Sequence, residues 1–356
     1  MLIDHKKLRK IVSMVIEKVG SERAEAKAVA DGLVGANLAG HDSHGVVLLQ
    51  AYVESVREMG IQLNQHAKIV VDNGSCIVVD GQRGFGQVIA GEAMDFGIER
   101  VREHGLALVA LRNSHHIGRV GQWAEQASSA GLISIHFVNA IERPPIVAPF
   151  RGSDSRFGTN PFVCGLPATN GDPVVLDMAT SGVAHGKIRV ARNKEEKVAP
   201  GLLIDANGQP TIDPNVMFSD GVRGSLLPMG LHKGYGLAMI CELLAGALTG
   251  GGVHREGMNI TNTIINNMLV IIIDPAQVAD GNTFAPYVDA FTDWVKESPA
   301  ADPDVPVLVP GDPERRMRAD RLAGGIPLDE NTWGQIIAAG EHVGLERDVL
   351  TALATD

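Results

Sequence analysis

The stretch Gly81-Gln-Arg-Gly-Phe-Gly86 decides which of the common cofactor-binding folds this chain can adopt. It lies between a predicted strand and a predicted helix, where a Rossmann fold carries its glycine-rich turn. That turn needs the spacing G-x-G-x-x-G, whereas the glycines here are spaced G-x-x-G-x-G. The 356 residues also contain no G-x-x-x-x-G-K-[ST] phosphate loop and no G-x-S-x-G elbow. A functional site must therefore be built from other segments.

The segments around this turn alternate between strand and helix patterns. Upstream, strands are predicted at 67–71 and 76–79, and Asp72-Asn73-Gly74 between them is a hairpin signal. Downstream, the periodicity predicts several further elements. These are helices at 88–104, 121–129 and 234–248, and strands at 106–111, 132–138, 162–166, 174–177 and 268–273.

The first sixty residues predict three helices. The third is expected to begin at Asp42-Ser43, with one of these residues as its cap, and to end before Gly60. The proline-rich tail from about residue 298 predicts an extended segment, followed by an amphipathic helix at 331–343. We therefore predict a helical domain of residues 1–66, rejoined by residues 298–356, and an α/β domain of residues 67–297.

Composition and charge limit the partners. The chain has 31 Lys and Arg against 42 Asp and Glu, a net charge of −11, without any basic block, which argues against nucleic acid and anionic membranes. The longest apolar run, 268–273, is too short to cross a bilayer, and the charged N-terminus is unlike a signal peptide. Cys76, Cys164 and Cys241 lie far apart, which favours a reducing compartment over disulfides or zinc. We expect a cytoplasmic protein.

The first candidate site is Gly40-His-Asp-Ser-His-Gly45, where the second predicted helix ends and the third begins. His44 is expected in the first turn of that helix, where the helix dipole disfavours imidazolium and keeps the ring neutral. A neutral imidazole can hydrogen-bond a carbonyl or a hydroxyl. A capping loop with a surface histidine is the alternative, and spacing alone does not separate the two.

The second candidate is Asn113-Ser-His-His-Ile-Gly-Arg-Val-Gly121, a loop between a predicted strand and a predicted helix. One of the two adjacent histidines, His115 and His116, is expected to point inward and the other to face solvent. Two histidine motifs without metal-ligand spacing favour proton transfer over a metal site. Histidine can give a proton during reduction and take one during oxidation. A purely structural hydrogen-bonding role is the alternative.

Three turns are candidates for binding an anion. Asp177-Met-Ala-Thr-Ser181 follows a strand and precedes a helical stretch containing Lys187, so its amides and hydroxyls are expected to be able to hold phosphate. Gly230-Leu-His-Lys-Gly-Tyr-Gly236 opens the long apolar helix and places Lys233 at its N-terminus. Val309-Pro-Gly-Asp-Pro313 predicts a tight turn. For each of them an ordinary turn or helix start is the alternative.

Taken together, these motifs resemble the malate/L-lactate dehydrogenase-type family, and the resemblance covers nearly the whole chain. That family includes sulfolactate, ureidoglycolate and diketogulonate oxidoreductases and piperideine-carboxylate reductases. Three runs are closest to its hydroxycarboxylate dehydrogenase B branch: 37–44, 155–161 and 294–299. The matching segments are Gly40–Gly45, Asn113–Gly118, Phe157-Gly-Thr-Asn-Pro161, Leu176–Ser181, His232–Gly236 and Pro310-Gly311.

The resemblance implies an α+β, non-Rossmann fold of the sulfolactate dehydrogenase type. In that fold a largely antiparallel sheet, flanked by helices, carries NAD or NADP, and a helical domain covers it. Residues 67–297 would be the nicotinamide-cofactor-binding domain, and a homodimer would be usual. The implied activity is hydride transfer between the cofactor and a small 2-oxo or 2-hydroxy acid. The alternatives are reduction of a cyclic imine carboxylate (piperideine or pyrroline-2-carboxylate) and cofactor binding without catalysis.

The resemblance also implies roles for individual residues. His44 and His116 become the acid–base pair at the substrate carbonyl, and Ser43, Leu48 and Thr159 lie near the substrate. The expected cofactor contacts are Gly118, Arg119, Val120, Val175, Leu176, Asp177, Met178, Ala179, Thr180, Ser181, His232, Lys233, Gly311, Asp312 and Pro313.

Leu48 departs from the family pattern, because many members have an arginine there that clamps a substrate carboxylate. On a continuous third helix, Leu48 lies one turn after His44 and on the same face, so it is expected to border the substrate. A different group must then hold the carboxylate, and the Thr159-Asn160 turn and Arg119 are candidates.

Overall fold

The computed structural model describes residues 1–58, 60–169, 171–219, 221–261, 263–278 and 283–355. Within these ranges the chain forms short and long strands in three sheets. The strands are β1 (Leu2–Ile3), β2 (Lys68–Asn73), β3 (Cys76–Asp80), β4 (Leu106–His115), β5 (Ile133–Ile141), β6 (Phe162–Leu166), β7 (Val174–Met178), β8 (Leu203–Ile204), β9 (Pro210–Thr211), β10 (Ser225–Leu226), β11 (Ile265–Ile273) and β12 (Ile326–Pro327).

Helices lie between these strands and at both ends of the chain. They are α1 (His5–Val19), α2 (Arg23–Leu38), α3 (Leu49–Arg57), α4 (Gly86–His104), α5 (Gly121–Ser129), α6 (His185–Asn193), α7 (His232–Cys241), α8 (Phe284–Lys296), α9 (Asp312–Gly324), α10 (Glu330–His342) and α11 (Arg347–Thr355). Among the described residues, no helix is both long and apolar enough to cross a membrane.

The main sheet has seven strands in the order β2-β3-β4-β11-β5-β6-β7. Five of its six neighbouring pairs are antiparallel, and only β3 and β4 run parallel. Helices α4 and α5 pack on this sheet through one apolar core, which includes Met94, Trp123 and Val270. Because β4 ends at His115, the second histidine motif lies at the C-terminal end of this inner strand.

A second core lies among the helices and joins both ends of the chain. Leu8 and Val12 from α1, Leu33 from α2 and Ile336 from α10 are buried in it. The pairing of β1 with β12 fixes the N-terminal segment against the C-terminal one. A third, smaller core includes Ile188 and Leu226 and belongs to the three-stranded sheet β10-β8-β9 with α6. The division into two domains stays a prediction.

The glycine turn 81–86 supports the end of β4. The amides of Gly81 and Arg83 donate to the carbonyls of Arg112 and Asn113, both at 2.8 Å, and the His115 amide donates to the Gly84 carbonyl at 3.1 Å. These bonds hold the turn against the backbone that leads into the second histidine motif. The glycines therefore permit close packing of one chain segment on another.

Two expectations about local structure were wrong. The third helix does not begin at Asp42. Asp42–His44 and Val46–Leu48 form two short 3-10 turns, separated by extended backbone at Gly45 (φ −91°, ψ −153°), and α3 begins only at Leu49. The tail is not extended throughout, because α9 begins at Asp312 with Pro313 in its first turn.

Candidate active site

Two histidine rings from different layers of the protein lie against each other. His44 comes from the first 3-10 turn and His116 from the loop after β4. Their ring centroids are 5.8 Å apart and their planes differ by 8°. His44 and His116 are 72 positions apart in the sequence, so two distant motifs meet at one point in the fold. A substrate carbonyl beside this pair would be within reach of two imidazoles.

The His116 ring is held by a hydrogen-bond relay from the helical layer. Gln87 donates through Nε2 to the Tyr52 hydroxyl oxygen at 2.9 Å, and Tyr52 lies 2.7 Å from Nδ1 of His116. The Tyr52 oxygen has two lone pairs, so it can accept from Nδ1–H of His116 as well as from Gln87. The neutral His116 ring then carries its proton on Nδ1 and leaves Nε2 free to accept one. Tyr52 and Gln87 therefore act as positioning residues that select one tautomer.

Burial keeps both site histidines neutral. It is the largest cause that lowers the pKa of His116 well below 6.5, and the charges of His44, His115 and Arg143 add to it. Burial also lowers the pKa of His44, as do His41 and Arg119, while Asp177 opposes them. The direction for His44 agrees with the expectation, but its cause is burial and not a helix N-terminus.

The expectation that one of the adjacent histidines faces solvent was wrong. Both His115 and His116 are buried, because β4 continues to residue 115 and the helical layer covers the strand end. The His115 ring packs edge-on against Tyr52, with centroids 5.2 Å apart, and neither of its nitrogens has a hydrogen-bond partner. Burial lowers the pKa of His115 to about 3. Its surroundings indicate a packing role.

Arg119 and Asp177 lie beside the start of α5, on the His44 side of the pair. The Gly121 amide donates to Oδ2 of Asp177 at 2.8 Å, and a Cβ atom on Gly121 would lie 2.7 Å from that oxygen and 2.7 Å from Nη1 of Arg119. Arg119 is 3% exposed and donates through Nη2 to Glu125 at 2.6 Å. Its Nε and Nη1 are buried without a partner. Buried donors of this kind are free to bond an oxygen atom of a water molecule or of a ligand.

The three turns named as anion-binding candidates lie along β7, with the 309–313 turn at its start and the 230–236 turn beyond its end. The Val175 amide donates to the Pro310 carbonyl at 3.2 Å, which joins the strand to the turn before α9. The Met229 amide donates to the Thr180 carbonyl at 2.9 Å, which joins the segment after β7 to the start of α7. His232 and Lys233 are exposed there. Segments that are far apart in sequence therefore meet along one strand.

Three of the residues expected to contact the cofactor have side chains that are already engaged. The Thr180 hydroxyl donates to the carbonyls of Thr159 and Asn160, and the Ser181 hydroxyl donates to the Val183 carbonyl. The Asp312 carboxylate accepts from the Val309 amide and pairs with Lys296 and Arg315. The expectation that the hydroxyls of this segment are free to hold phosphate was wrong, because internal carbonyls occupy them.

The three residues expected near the substrate lie in different surroundings. The Ser43 hydroxyl is 3.3 Å from Nδ1 of His44, and the Thr159 carbonyl accepts from both the amide and the hydroxyl of Thr180. Leu48 packs against the core of the helical layer. The reason for placing Leu48 on the His44 face was wrong, since the two residues are not on one helix. Whether Leu48 contacts substrate stays a prediction.

Sequence reasoning missed Tyr52 and Gln87. They lie 64 and 29 positions from His116, on α3 and α4, in helices whose apolar periodicity only indicates a buried face. One signal was available, since a tyrosine on such a face needs a partner for its hydroxyl.

We expect Tyr52→Phe to lower kcat about tenfold and to leave KM for the substrate unchanged, because the variant loses one hydrogen bond to His116 but keeps the ring. Nitrogen NMR shifts of His116 should report one tautomer in the wild type and a mixture in the variant. Tyr287→Phe, at an exposed tyrosine on α8, is the control. A variant that keeps both the wild-type rate and the single tautomer would contradict the relay.

Comparison with known proteins places the chain in the hydroxy acid oxidoreductase class. The chain belongs to the malate/L-lactate dehydrogenase family, whose model matches residues 3–337. It is 48% identical over 351 residues to hydroxycarboxylate dehydrogenase B of Escherichia coli (strain K12), covering 98% of this chain and 96% of that one.

Solved structures agree with this assignment. Sulfolactate dehydrogenase from Methanocaldococcus jannaschii has a TM-score of 0.87 and 31% identity, covering 98% of this chain and 99% of that one. A structure from Escherichia coli, described as a malate/lactate dehydrogenase, has a TM-score of 0.95 and 47% identity, covering 99% of this chain and 98% of that one.

Proposed function

We propose that this protein transfers a hydride between NAD or NADP and a small 2-oxo or 2-hydroxy acid. The observation that carries the proposal is the stacked pair of His44, which is half-buried, and His116, which is buried and whose ring Tyr52 fixes. Family membership supports the class of reaction. The substrate, the cofactor and the residues in each role are parts of the proposal.

The residues along β7 fit a nicotinamide cofactor held without a Rossmann turn. The glycine turn 81–86 is packed against the backbone of β4, so it is not available for a pyrophosphate. The unpartnered Nε and Nη1 of Arg119 would donate hydrogen bonds to oxygen atoms of the cofactor. Lys233 at the start of α7 would lie near its phosphates. The backbone of Val175–Ser181 and of Gly311–Pro313 would complete the contacts. NAD or NADP bound there would supply or accept the hydride.

His116 acts as the general acid and base of the reaction. In reduction it donates a proton to the oxygen of the former carbonyl, and in oxidation it accepts the proton of the substrate hydroxyl. Its free-protein ring is neutral because of burial, which suits the accepting role. An anionic substrate beside it favours the protonated form, which suits the donating role. His44, stacked on it, would bind the same oxygen.

A panel of 2-oxo acids with NADH and with NADPH, followed by absorbance at the nicotinamide band, tests the proposal. We expect turnover of at least one straight-chain or aromatic 2-oxo acid. Turnover of pyrroline-2-carboxylate alone would replace the oxo acid by a cyclic imine. Cofactor binding without turnover of any member of the panel would overturn the proposed activity.

A homodimer is part of the proposal. Apolar side chains on α7 and on the π-helical segment Glu242–Leu248 that follows it are exposed, and surfaces of this kind are typical of protein–protein contacts. They are Met239, Ile240, Leu243 and Leu248.

A further inference from the structure

Arg143 leaves the main sheet at the same edge as His116. In β11, Ile265 lies opposite His115 of β4 on one side and opposite Ile141 of β5 on the other. Arg143 follows Ile141 by two residues, and His116 follows His115 by one. The register of three adjacent strands therefore brings the arginine and the histidine to one place in the fold.

The neighbouring carboxylate does not neutralise Arg143. Glu142 accepts from both terminal nitrogens of Arg83, at 2.8 and 2.9 Å, and from the Thr261 hydroxyl at 2.8 Å. The Arg143 carbonyl lies 3.3 Å from Nε2 of His254, which holds the backbone of the turn. The turn is thus fixed by other groups, and none of these bonds uses the Arg143 side chain.

Helix α6 brings a second arginine towards the same site. Its first turn packs on the turn that carries His44, since a Cβ atom on Gly186 would lie 2.7 Å from the Cβ atom of Ser43. Arg189 lies one turn after His185, on the same face of the helix.

Electrostatic effects agree with this placement. Burial and then the charge of Arg189 lower the pKa of Arg143. Burial, followed by Arg189 and Arg143, lowers the pKa of His185 to about 4. The three basic groups therefore act on one another across the gap between α6 and the turn after β5.

Within the described parts of the chain, neither Arg143 nor Arg189 has a carboxylate within ion-pair distance. The protein as a whole carries a net charge of −11. Two unneutralised arginines beside the histidine pair are therefore a local positive region in an acidic protein, which attracts anions.

We propose that Arg143 and Arg189 together bind the carboxylate of the substrate, in the role that Leu48 cannot fill. The inference rests on the proposed oxo acid chemistry and names the group that recognises the acid. Two guanidinium groups that repel each other in the free protein both gain by sharing one carboxylate. The ligand is a small acid whose carboxylate is next to the carbonyl that meets His116. Its negative charge also favours protonated His116.

The test compares Arg143→Met and Arg189→Met with Arg192→Met. Arg192 is on the same helix but lies over the Phe218 ring, 4.7 Å from its centroid, so it is a matched control. We expect each of the first two variants to raise KM for pyruvate about 10- to 100-fold, the range for losing a charge-assisted bond. The KM for methyl pyruvate, which lacks the carboxylate charge, and the Kd of NADH and of NADPH should not change. The control should behave as the wild type.

Equal changes for pyruvate and its ester, or weaker NADPH binding with an unchanged KM for pyruvate, would overturn the proposal. If the wild type reduces no 2-oxo acid, the proposed function fails by itself. The arginine pair is then judged by calorimetry with oxamate, an unreactive carboxylate of the same shape. Oxamate binding that is lost in both variants and kept in the control supports the pair, and undiminished binding overturns it.

Discussion

His116→Ala should lower turnover by about two to four powers of ten, the usual range for the loss of a general acid or base. His44→Ala should fall in a similar range, because the two rings are stacked 5.8 Å apart and would share the reacting oxygen. Cofactor binding should persist in both variants, since the segments expected to hold it lie along β7. Single-turnover absorbance and cofactor fluorescence separate the two effects.

The pH dependence of the oxidation rate is a second test of the role proposed for His116. Burial lowers the pKa of His116 well below 6.5, so the free protein keeps a neutral ring as the pH falls through 6.5. Oxidation of the hydroxy acid needs that neutral ring as proton acceptor. Its kcat/KM should therefore stay level through pH 6.5 and decline only at lower pH, and His116→Ala should lack this acid limb.

The adjacent residue provides the control. His115 is buried, but neither of its ring nitrogens has a hydrogen-bond partner, so His115→Leu removes no bond and keeps an apolar contact with Tyr52. We expect this variant to retain activity within a few-fold of the wild type. Near wild-type rates in both His116→Ala and His44→Ala would end the catalytic assignment.

The sequence predicted the elements that have strong periodic patterns and the loops that have unusual composition. The β2–β3 hairpin, α5 and β6 lie where their patterns placed them. The stacked histidines come from the two motifs that were singled out on residue type alone. These features depend on local patterns, which a sequence carries directly.

The structural features that the sequence did not predict depend on contacts between distant segments. Val46, Leu49 and Val53 are at helical spacing, so the pattern does not show that Val46–Leu48 is a separate 3-10 turn before α3. Helix α9 buries only Asp312 and has no apolar face that would predict it. Whether the Thr180 hydroxyl is free for a ligand depends on the Thr159 turn, 21 positions away. Such pairings follow from the tertiary packing and not from the local sequence.

Gly86→Ala should both destabilise the protein and disable the site. A Cβ atom at this first residue of α4 would lie 2.5 Å from the His115 carbonyl oxygen and closer still to the carbonyl of His116. These are backbone atoms at the end of a buried strand, so they cannot move aside without displacing the His116 ring. We expect the free energy of unfolding to fall by about 1–3 kcal/mol, as for overpacked cores. A shift of about 1 Å at the catalytic ring should lower kcat about 100-fold.

Gly91→Ala, on the same helix, separates this steric effect from helix propensity. Its Cβ atom would lie 3.5 Å from the Trp123 ring, an ordinary contact. Because alanine is favoured over glycine inside a helix by about 1 kcal/mol, this variant should be as stable as the wild type or more so, with full activity. Urea unfolding and initial rates on both variants decide the matter. If Gly86→Ala unfolds at the wild-type urea concentration and keeps its activity, the glycine turn does not support the catalytic histidine, and the close approach of the two segments has no functional role.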